Sequence, residues 1–368
     1  RAALDLGPAL EACDPSRTSV YIGMQCDVQV ARNGARWRAS EWARAWAGAL
    51  DVTLDDGWVA EARDGLDVLR GAAGVVGAMP NIPANRLCSQ FDLRGPSFTL
   101  SAEELSGVVG LEIGARALRA GEIDAALVGA VDVCSDSVHQ SAARDVLGPA
   151  QQTAGDAVVV LLLKRLSDAE RAGDTVWAVL GGEGEARLAL ETGPEARGLT
   201  PQLGHSHAAS GLLHVAAGAV ACRYKASLPE VGSGDAARAQ PWPPSDVLGG
   251  ASVAIQALGG ASETVHLSAP GPEAAPIVTE GPFEIASAGP ACAGEVAFVF
   301  TGPAGSYRGM GAELLLAFPM LRERFLLHNP AVRASAGWIF EPEGPPPTPA
   351  QCLWGSSLLA QMHAAVTL

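Results

Sequence analysis

The sequence predicts a layered α/β fold, and three observations carry the prediction. Short apolar runs that read as buried strands recur along the chain, windows of helical periodicity separate them, and glycines and prolines mark the joins. Ser19-Val-Tyr-Ile-Gly-Met24 is the first such strand, and helical patterns follow at about 40–49 and 64–78. Ser97–Leu100 predicts a short strand leading into a helix that runs to about Arg119. Ala125–Val133 is a further apolar strand, with a helix from about Asp136 to Asp145 behind it. Asp156–Leu166 predicts a strand, and Ser167-Asp-Ala-Glu-Arg-Ala-Gly173 reads as a short capped helix. Thr175–Leu180, Ser252–Ala257 and Glu263–Ala269 complete the strands, and their alternation with helices predicts parallel pairing.

Composition changes after Ala269. Pro270–Gly294 is rich in Pro, Ala and Gly and reads as a linker. Val296-Ala-Phe-Val-Phe300 is a fresh strand, followed by a Gly-rich turn through Gly311 and a helix to about Phe325. Gly344-Pro-Pro-Pro-Thr-Pro349 is a second stiff connector before a terminal helix. The expected organisation is therefore a large domain over 1–269, a linker over 270–294, and the beginning of a second α/β domain over 295–368. That last piece is too short to be complete.

A chain of 368 residues, 48% hydrophobic and 18% charged, has the makeup of an ordinary soluble globular protein with about two domains. Its net charge of −15 argues against a nucleic-acid or anionic-membrane surface, which needs clustered Lys and Arg. The longest apolar run, Ala157–Leu163, is far short of the roughly 20 residues of a membrane span, and Arg1-Ala-Ala-Leu-Asp-Leu6 lacks a signal-peptide core. The seven cysteines (13, 26, 88, 134, 222, 292 and 352) form no CxxC pair, so they read as reduced and mostly buried in a cytoplasmic setting, without an activated thiolate. The lack of Met at position 1 and the abrupt end at Leu368 suggest a piece of a longer polypeptide.

The segment from Pro80 to Asp132 carries the most specific pattern. It reads Pro80-Asn-Ile-Pro-Ala-Asn-Arg86, then Phe91-Asp-Leu-Arg-Gly-Pro-Ser-Phe-Thr-Leu100, then Ser101-Ala-Glu-Glu-Leu-Ser-Gly107, and ends Ala125-Ala-Leu-Val-Gly-Ala-Val-Asp132. It resembles the active-site segment of β-ketoacyl synthases of polyketide and fatty acid synthases. Three further stretches extend the resemblance over roughly residues 15–270: the strand–helix–strand Ala157–Ala178, the Gly-His motif Leu203-Gly-His-Ser-His-Ala-Ala-Ser-Gly211, and the Gly-Gly loop Ala257–Ser262. The resemblance implies a thiolase-like fold that pairs into dimers, lacking here the family's opening strand. It also places Glu104 where a working ketosynthase has its acylated Cys, and keeps His205 as one of the two family histidines. The other, in Glu-Ala-His-Gly-Thr-Gly-Thr, has no counterpart, since 181–204 is a brief link, and the family's Lys falls on Thr200.

Glu104 invites two readings. Ser101-Ala-Glu-Glu104 has the S-x-x-E form of a capping box at a helix start, which predicts a structural role. The alternative is an electrostatic part in decarboxylation, as in loading ketosynthases that carry Gln at this position. His205, His207 and His214 raise a metal reading, but no carboxylate or Cys stands near them in sequence, so packed core histidines are expected, with no metal and no cofactor. Asn81, Asn85 and Arg94 read as structural residues on turns around a buried helix.

Gly302-Pro-Ala-Gly-Ser-Tyr-Arg-Gly-Met-Gly311 resembles the opening of malonyl/acyl transferases, with Pro303 standing where that family has an oxyanion-hole Gln. A Cys-less ketosynthase-like domain followed by such an opening resembles the chain length factor of a polyunsaturated fatty acid or polyketide synthase. The resemblance implies a non-catalytic partner that forms a pseudo-dimer with an active ketosynthase and lines the far end of its acyl channel, from the loop after Met24 and from Phe91–Phe98. It further implies substrates carried on the phosphopantetheine of acyl carrier proteins, whose acidity would call for a local Arg patch here. A decarboxylase acting through Glu104 and His205, and a purely structural docking module, are the rival expectations.

Overall fold

A short helix, α1 (Gly7–Glu11), and a 3₁₀ turn at Pro15–Arg17 lead into strand β1 (Thr18–Gly23), in which every residue is buried. The computed structural model describes residues 6–25, 28–67, 79–134, 136–181, 185–192, 198–228, 239–243, 248–271, 309–323 and 337–339, with a few single positions besides. Helices α2 (Val28–Leu50) and α3 (Asp56–Leu66) follow, then α4 (Ile82–Phe91), strand β2 (Ser97–Leu100), helix α5 (Ser106–Ala120) and strand β3 (Ala125–Asp132). Helix α6 (Ser137–Val146), strand β4 (Ala157–Lys164) and helix α7 (Leu166–Ala172) complete this part.

These strands form one sheet in the order β2-β1-β3-β4, with β1 parallel to both β2 and β3. A central parallel strand is covered on both faces, which is why β1 and β3 read as unbroken apolar runs. Strand β4 departs from the expected parallel pairing and runs antiparallel to β3, with Asp132 opposite Ala157 and Ala125 opposite Lys164. The excursion 133–156 leaves and re-enters the sheet at the same end, and only antiparallel neighbours permit that. Val20, Ile22, Ala84, Leu93 and Leu127 form the core beneath α4.

Helix α5 lies very close to the sheet because of its glycines. A Cβ on Gly107 would stand 2.7 Å from Leu212 Cβ and 2.9 Å from Ala130 Cβ. One on Gly23 would meet the backbone N of Gly107 at 2.5 Å. Gly121, in the left-handed region, closes α5 as its C-cap.

The chain divides into two compact units, the first comprising 1–174, 190–216 and 254–264, the second 175–189, 217–253 and 265–368. Strands β5 (Val179–Leu180) and β6 (Glu185–Glu191) precede helices α8 (Thr200–Leu203) and α9 (Ser210–Tyr224). Strands β7 (Ala226–Ser227) and β8 (Gln240–Pro241) make a small pair, and β9 (Gly249–Gln256) and β10 (Ser262–Ser268) complete a second sheet ordered β5-β10-β9-β6. Within the second unit, Gly218 of α9 sits over Ala251, Val253 and Leu267.

Several boundaries differ from expectation. Asp55 caps α3 by accepting the Trp58 N–H, so the helix occupies 56–66 rather than 64–78, and most of 68–78 lies outside the described residues. Helix α7 starts at Leu166 without a side-chain cap and closes on left-handed Gly173. Only Val179–Leu180 of the expected 175–180 strand pairs, while β6 occupies part of the stretch read as a brief link. The helix expected to reach Phe325 breaks into α10 (Ala312–Ala317) and α11 (Pro319–Leu321), because Pro319 has no N–H to continue the ladder and pushes Phe318 out of the helical region. Gly309 and Gly311 take positive φ in the turn before α10, as a Gly-rich turn requires. Residues 272–300, which include most of the expected linker and the Val296–Phe300 strand, lie outside the described residues, as does most of 340–368. Among the described residues, no helix is long and apolar enough to cross a membrane.

Two substitutions separate close approach from simple helix propensity. Gly107→Ala is expected to lower urea-unfolding stability by roughly 2–4 kcal/mol, because α5 must move off the sheet. Gly48→Ala, in an open position of α2 with nothing within 4 Å of the added carbon, is expected to raise it by about 0.5–1 kcal/mol.

Candidate functional site

Five residues, 101–105, must turn the chain from the end of β2 into α5. Glu103 takes the left-handed region at φ 52°, and the Leu105 and Ser106 N–H groups donate to Ala102 O and Glu103 O. The Ser106 hydroxyl pins the turn by accepting the Ala102 N–H at 2.9 Å and donating to Glu103 O at 2.6 Å. The capping-box reading of Ser101–Glu104 is therefore overturned. Helix α5 begins at Ser106 after Leu105, and the hydroxyl that serves the turn is Ser106's rather than Ser101's.

Freed from the helix start, the Glu104 side chain points inward and is 2% exposed. Its Oε1 lies 3.1 Å from His205 Nε2, and its Oε2 accepts the Leu258 N–H at 2.9 Å. The Glu104 backbone carbonyl accepts from Gly211 N–H at 3.2 Å, and the neighbouring Glu103 carboxylate accepts from Gly259 N–H. One dipeptide thus ties the start of α5 to the Gly-His turn and to the Gly-Gly loop. Burial pushes the Glu104 carboxyl up, but bonds from His205, its own N–H and Leu258 outweigh burial and hold it below the usual carboxylate range.

His205 is fully buried and is fixed by its backbone as well as its ring. Its N–H donates to Thr153 O at 2.7 Å and its carbonyl accepts from Gly155 N–H at 3.0 Å. That approach needs glycine at 155, where a Cβ would stand 2.1 Å from Leu203 O. With Nε2 donating to the ionised Glu104, His205 carries a proton on Nε2, and its Nδ1 has no hydrogen-bond partner among the described residues.

Next to this pair the structure assembles groups that sequence spacing does not bring together. His207, at φ 40°, sets its ring edge-on to His205 (centroids 4.7 Å apart) and to His139 (4.3 Å). Cys134 follows β3, with its Sγ 3.5 Å from Asp132 Oδ1 and 3.4 Å from Gly155 O. Asp132 Oδ2 accepts the Ala208 N–H at 3.2 Å, and Asp156 Oδ1 accepts the Cys134 N–H at 2.7 Å. Burial pushes His207 down to about 4, and burial together with the Asp132 and Asp156 charges pushes Cys134 up to about 12. Cys222, also buried, is pushed up to about 11, so neither is a thiolate at neutral pH. Cysteines 13, 88 and 352 are only half-buried, against the expectation of mostly buried sulfurs.

His214 bears out the core reading. Its Nδ1 donates to Ser210 O at 2.8 Å and its Nε2 accepts the Leu199 N–H at 3.0 Å. It does not join His205 and His207 in a shared site, and the carboxylates and Cys missing from the local sequence are supplied by distant segments. Asn81 precedes α4 without capping it by its side chain, and Asn85 is exposed on α4 itself rather than on a turn. Arg94 does serve a turn, pairing with Asp92 while its N–H donates to Pro15 O. Thr200 opens α8, and Pro303 lies outside the described residues.

Residues 5–169 match the family described as Beta-ketoacyl synthase, N-terminal domain, a span that contains Glu104 and Asp132. A highly reducing polyketide synthase from Dothideomycetidae sp. is 36% identical over 118 residues, covering 28% of this chain and 4% of that protein. The spectinabilin polyketide synthase system protein NorA of Streptomyces orinoci is 34% identical over 130 residues, covering 30% of this chain and 7% of that protein. The chain thus spans only a small part of such relatives. An oxazolomycin ketosynthase domain of Streptomyces albus superposes with a TM-score of 0.51 at 18% identity, covering 73% of this chain and 58% of that one. The ketosynthase from module 6 of the bacillaene synthase of Bacillus subtilis gives 0.50 at 15% identity, covering 71% and 55%. The fold is that of the thiolase-like ketosynthases.

His207 makes stability depend on pH. An unfolded His titrates near about 6.5, whereas the folded one titrates at about 4. Below about pH 6.5 the unfolded chain takes up a proton that the folded chain refuses, so stability falls as pH drops from about 6.5 to about 4, by on the order of 3 kcal/mol. His207→Asn, which tolerates the left-handed backbone, is expected to flatten that segment of a urea-stability profile relative to the parent.

Proposed function

We propose that this chain is a non-catalytic ketosynthase-like partner of the chain-length-factor type, acting in polyunsaturated fatty acid or polyketide-type synthesis. One observation carries the reading: Glu104, which the resemblance places at the nucleophile position, is buried, ionised, and holds hydrogen bonds on both oxygens. A nucleophile needs a free lone pair aimed at the incoming thioester. Releasing Glu104 would break two bonds to a charged group, each worth about 1.5–3 kcal/mol. That adds roughly 3–6 kcal/mol to any barrier, or a slowing of about 10²–10⁴-fold, before the weak nucleophilicity of a carboxylate is counted. An acyl–Glu104 anhydride would also be a poor store for a growing chain.

The decarboxylation half of ketosynthase chemistry is equally ill-served. It needs donors aimed at the enolate oxygen as carbon dioxide leaves. His205 Nε2–H is already committed to Glu104, and the sequence has no Glu-Ala-His-Gly-Thr-Gly stretch to supply the second family histidine. In the proposed assembly an active ketosynthase performs the condensation on malonyl groups carried by acyl carrier proteins in the cytoplasm. This chain completes the pseudo-dimer, needs no cofactor, and shapes the far end of the acyl channel from the segment after Met24 and from Phe91–Phe98. Phe98 is a large exposed side chain on β2, an edge strand of its sheet, leaning on Tyr21 with ring centroids 4.9 Å apart. Residues 295–368 would be the opening of an acyltransferase domain, with Pro303 replacing its oxyanion-hole Gln.

The test is carbon dioxide release from malonyl-carrier by the purified chain, beside Glu104→Ala and with intact-mass detection of acyl adducts. No release, no adduct, and condensation only on adding an active ketosynthase is the expected result. Release that disappears in Glu104→Ala would make this a decarboxylase instead.

A further inference from the structure

We propose that Cys134, His139 and His207 form a binding site for a divalent cation of zinc type, separate from the Glu104–His205 pair and independent of the channel-partner reading. The Cys134 Sγ and one ring nitrogen from each histidine all lie within 4.8 Å of one another. Tetrahedral zinc, with bonds of about 2.0–2.3 Å, holds its ligand atoms roughly 3.3–3.8 Å apart, so side-chain adjustments of about 1 Å complete the shell.

Four observations point to a cation rather than to a packed polar cluster. First, His207 Nε2 and His139 Nε2 are both buried without a hydrogen-bond partner among the described residues, and His207 is 93% buried as a residue, from its 7% exposure. An imidazole nitrogen left bare in the interior costs free energy unless something coordinates it. Second, among the described residues the Cys134 thiol meets only weak acceptors, Asp132 Oδ1 at 3.5 Å, Gly155 O at 3.4 Å and His205 O at 3.8 Å, none of which competes with a metal for a thiolate. Third, the surrounding charge is negative: Asp132 and Asp156 flank Cys134, and Glu104 acts on His207. A divalent ion with one thiolate keeps a net positive charge, which these carboxylates offset. Fourth, the donor set of one soft thiolate and two imidazoles suits zinc, and does not suit magnesium or calcium, which take oxygen ligands.

The site joins Cys134, just after β3, and His139, on α6, to the turn ahead of α9, which supplies His207. Three protein ligands leave a fourth position for a water molecule, with Asp132 the adjacent carboxylate. Binding displaces the thiol proton to solvent, so one proton leaves per ion bound and no redox change occurs.

The experiment titrates the full chain, stripped with chelator, with zinc by calorimetry and with cobalt(II) by absorption. One equivalent of zinc with a Kd below about 1 μM, and a near-ultraviolet thiolate-to-cobalt charge-transfer band, are expected. Cys134→Ser is expected to abolish the band, and His139→Ala, a half-buried change on the surface of α6, to weaken zinc binding at least about tenfold. His266→Ala, at an exposed position on β10, is expected to leave binding unchanged. Circular dichroism of each variant identifies any that fails to fold, in which case the other decides. No binding at about 10 μM zinc, or a band and affinity that survive in whichever of the Cys134→Ser and His139→Ala variants folds, would overturn the site.

Discussion

A carboxylate taken out of water must find donors, and where Glu104 finds them decides where three separate pieces of this chain meet. Its two oxygens are met by His205 Nε2 and by the Leu258 N–H, from segments 101 and 154 residues further along. The same turn offers Glu104 O to Gly211 and the Glu103 carboxylate to Gly259. The start of α5, the Gly-His turn and the Gly-Gly loop are therefore one hydrogen-bonded unit with an ionised group at its centre. A buried, charged side chain here reaches His205 and uses it as a donor. The pair works as a strut, and removing one partner alone would leave the other buried without its counterpart.

The scaffold allows this because backbone segments approach one another more closely than side chains would permit. Gly23 and Gly107 let α5 settle on β1, Gly155 lets the His205 backbone dock, and left-handed Glu103 turns the chain so that Glu104 faces inward. Beside the strut lies a second buried polar group of different character. His139, His207 and Cys134 have donors and acceptors that neighbouring protein atoms satisfy poorly, in contrast to His214, whose two ring nitrogens are both engaged. His207 and His214 thus differ within one short stretch of sequence: the first leaves a ring nitrogen without a partner among the described residues, and the second engages both.

Much of the architecture was legible in the sequence because it depends on local patterns. Continuous apolar runs located β1, β3, β4 and β9 to within a few residues, and the Gly-His and Gly-Gly motifs marked the two segments that close on Glu104. What the sequence hid depends on long-range geometry. Ser101–Glu104 matches a local capping pattern, but donors from distant segments hold the Glu104 carboxylate, and the helix starts two residues later. The antiparallel direction of β4 follows from where the 133–156 excursion re-enters the sheet, which no periodicity encodes. Cys134 and His139 stand some seventy residues from His207, so their meeting could not be read from spacing, although a Cys and a His five apart at the end of a strand is the one signal worth marking.

The most direct test of the strut is a double-mutant cycle on Glu104→Gln and His205→Asn, with unfolding free energies from urea titrations at neutral pH. The buried, charge-assisted bond predicts a coupling of about 1.5–3 kcal/mol between the two sites. Single-mutant losses that add within about 0.5 kcal/mol would contradict it, and would mean that Glu104 is not held by His205 in solution.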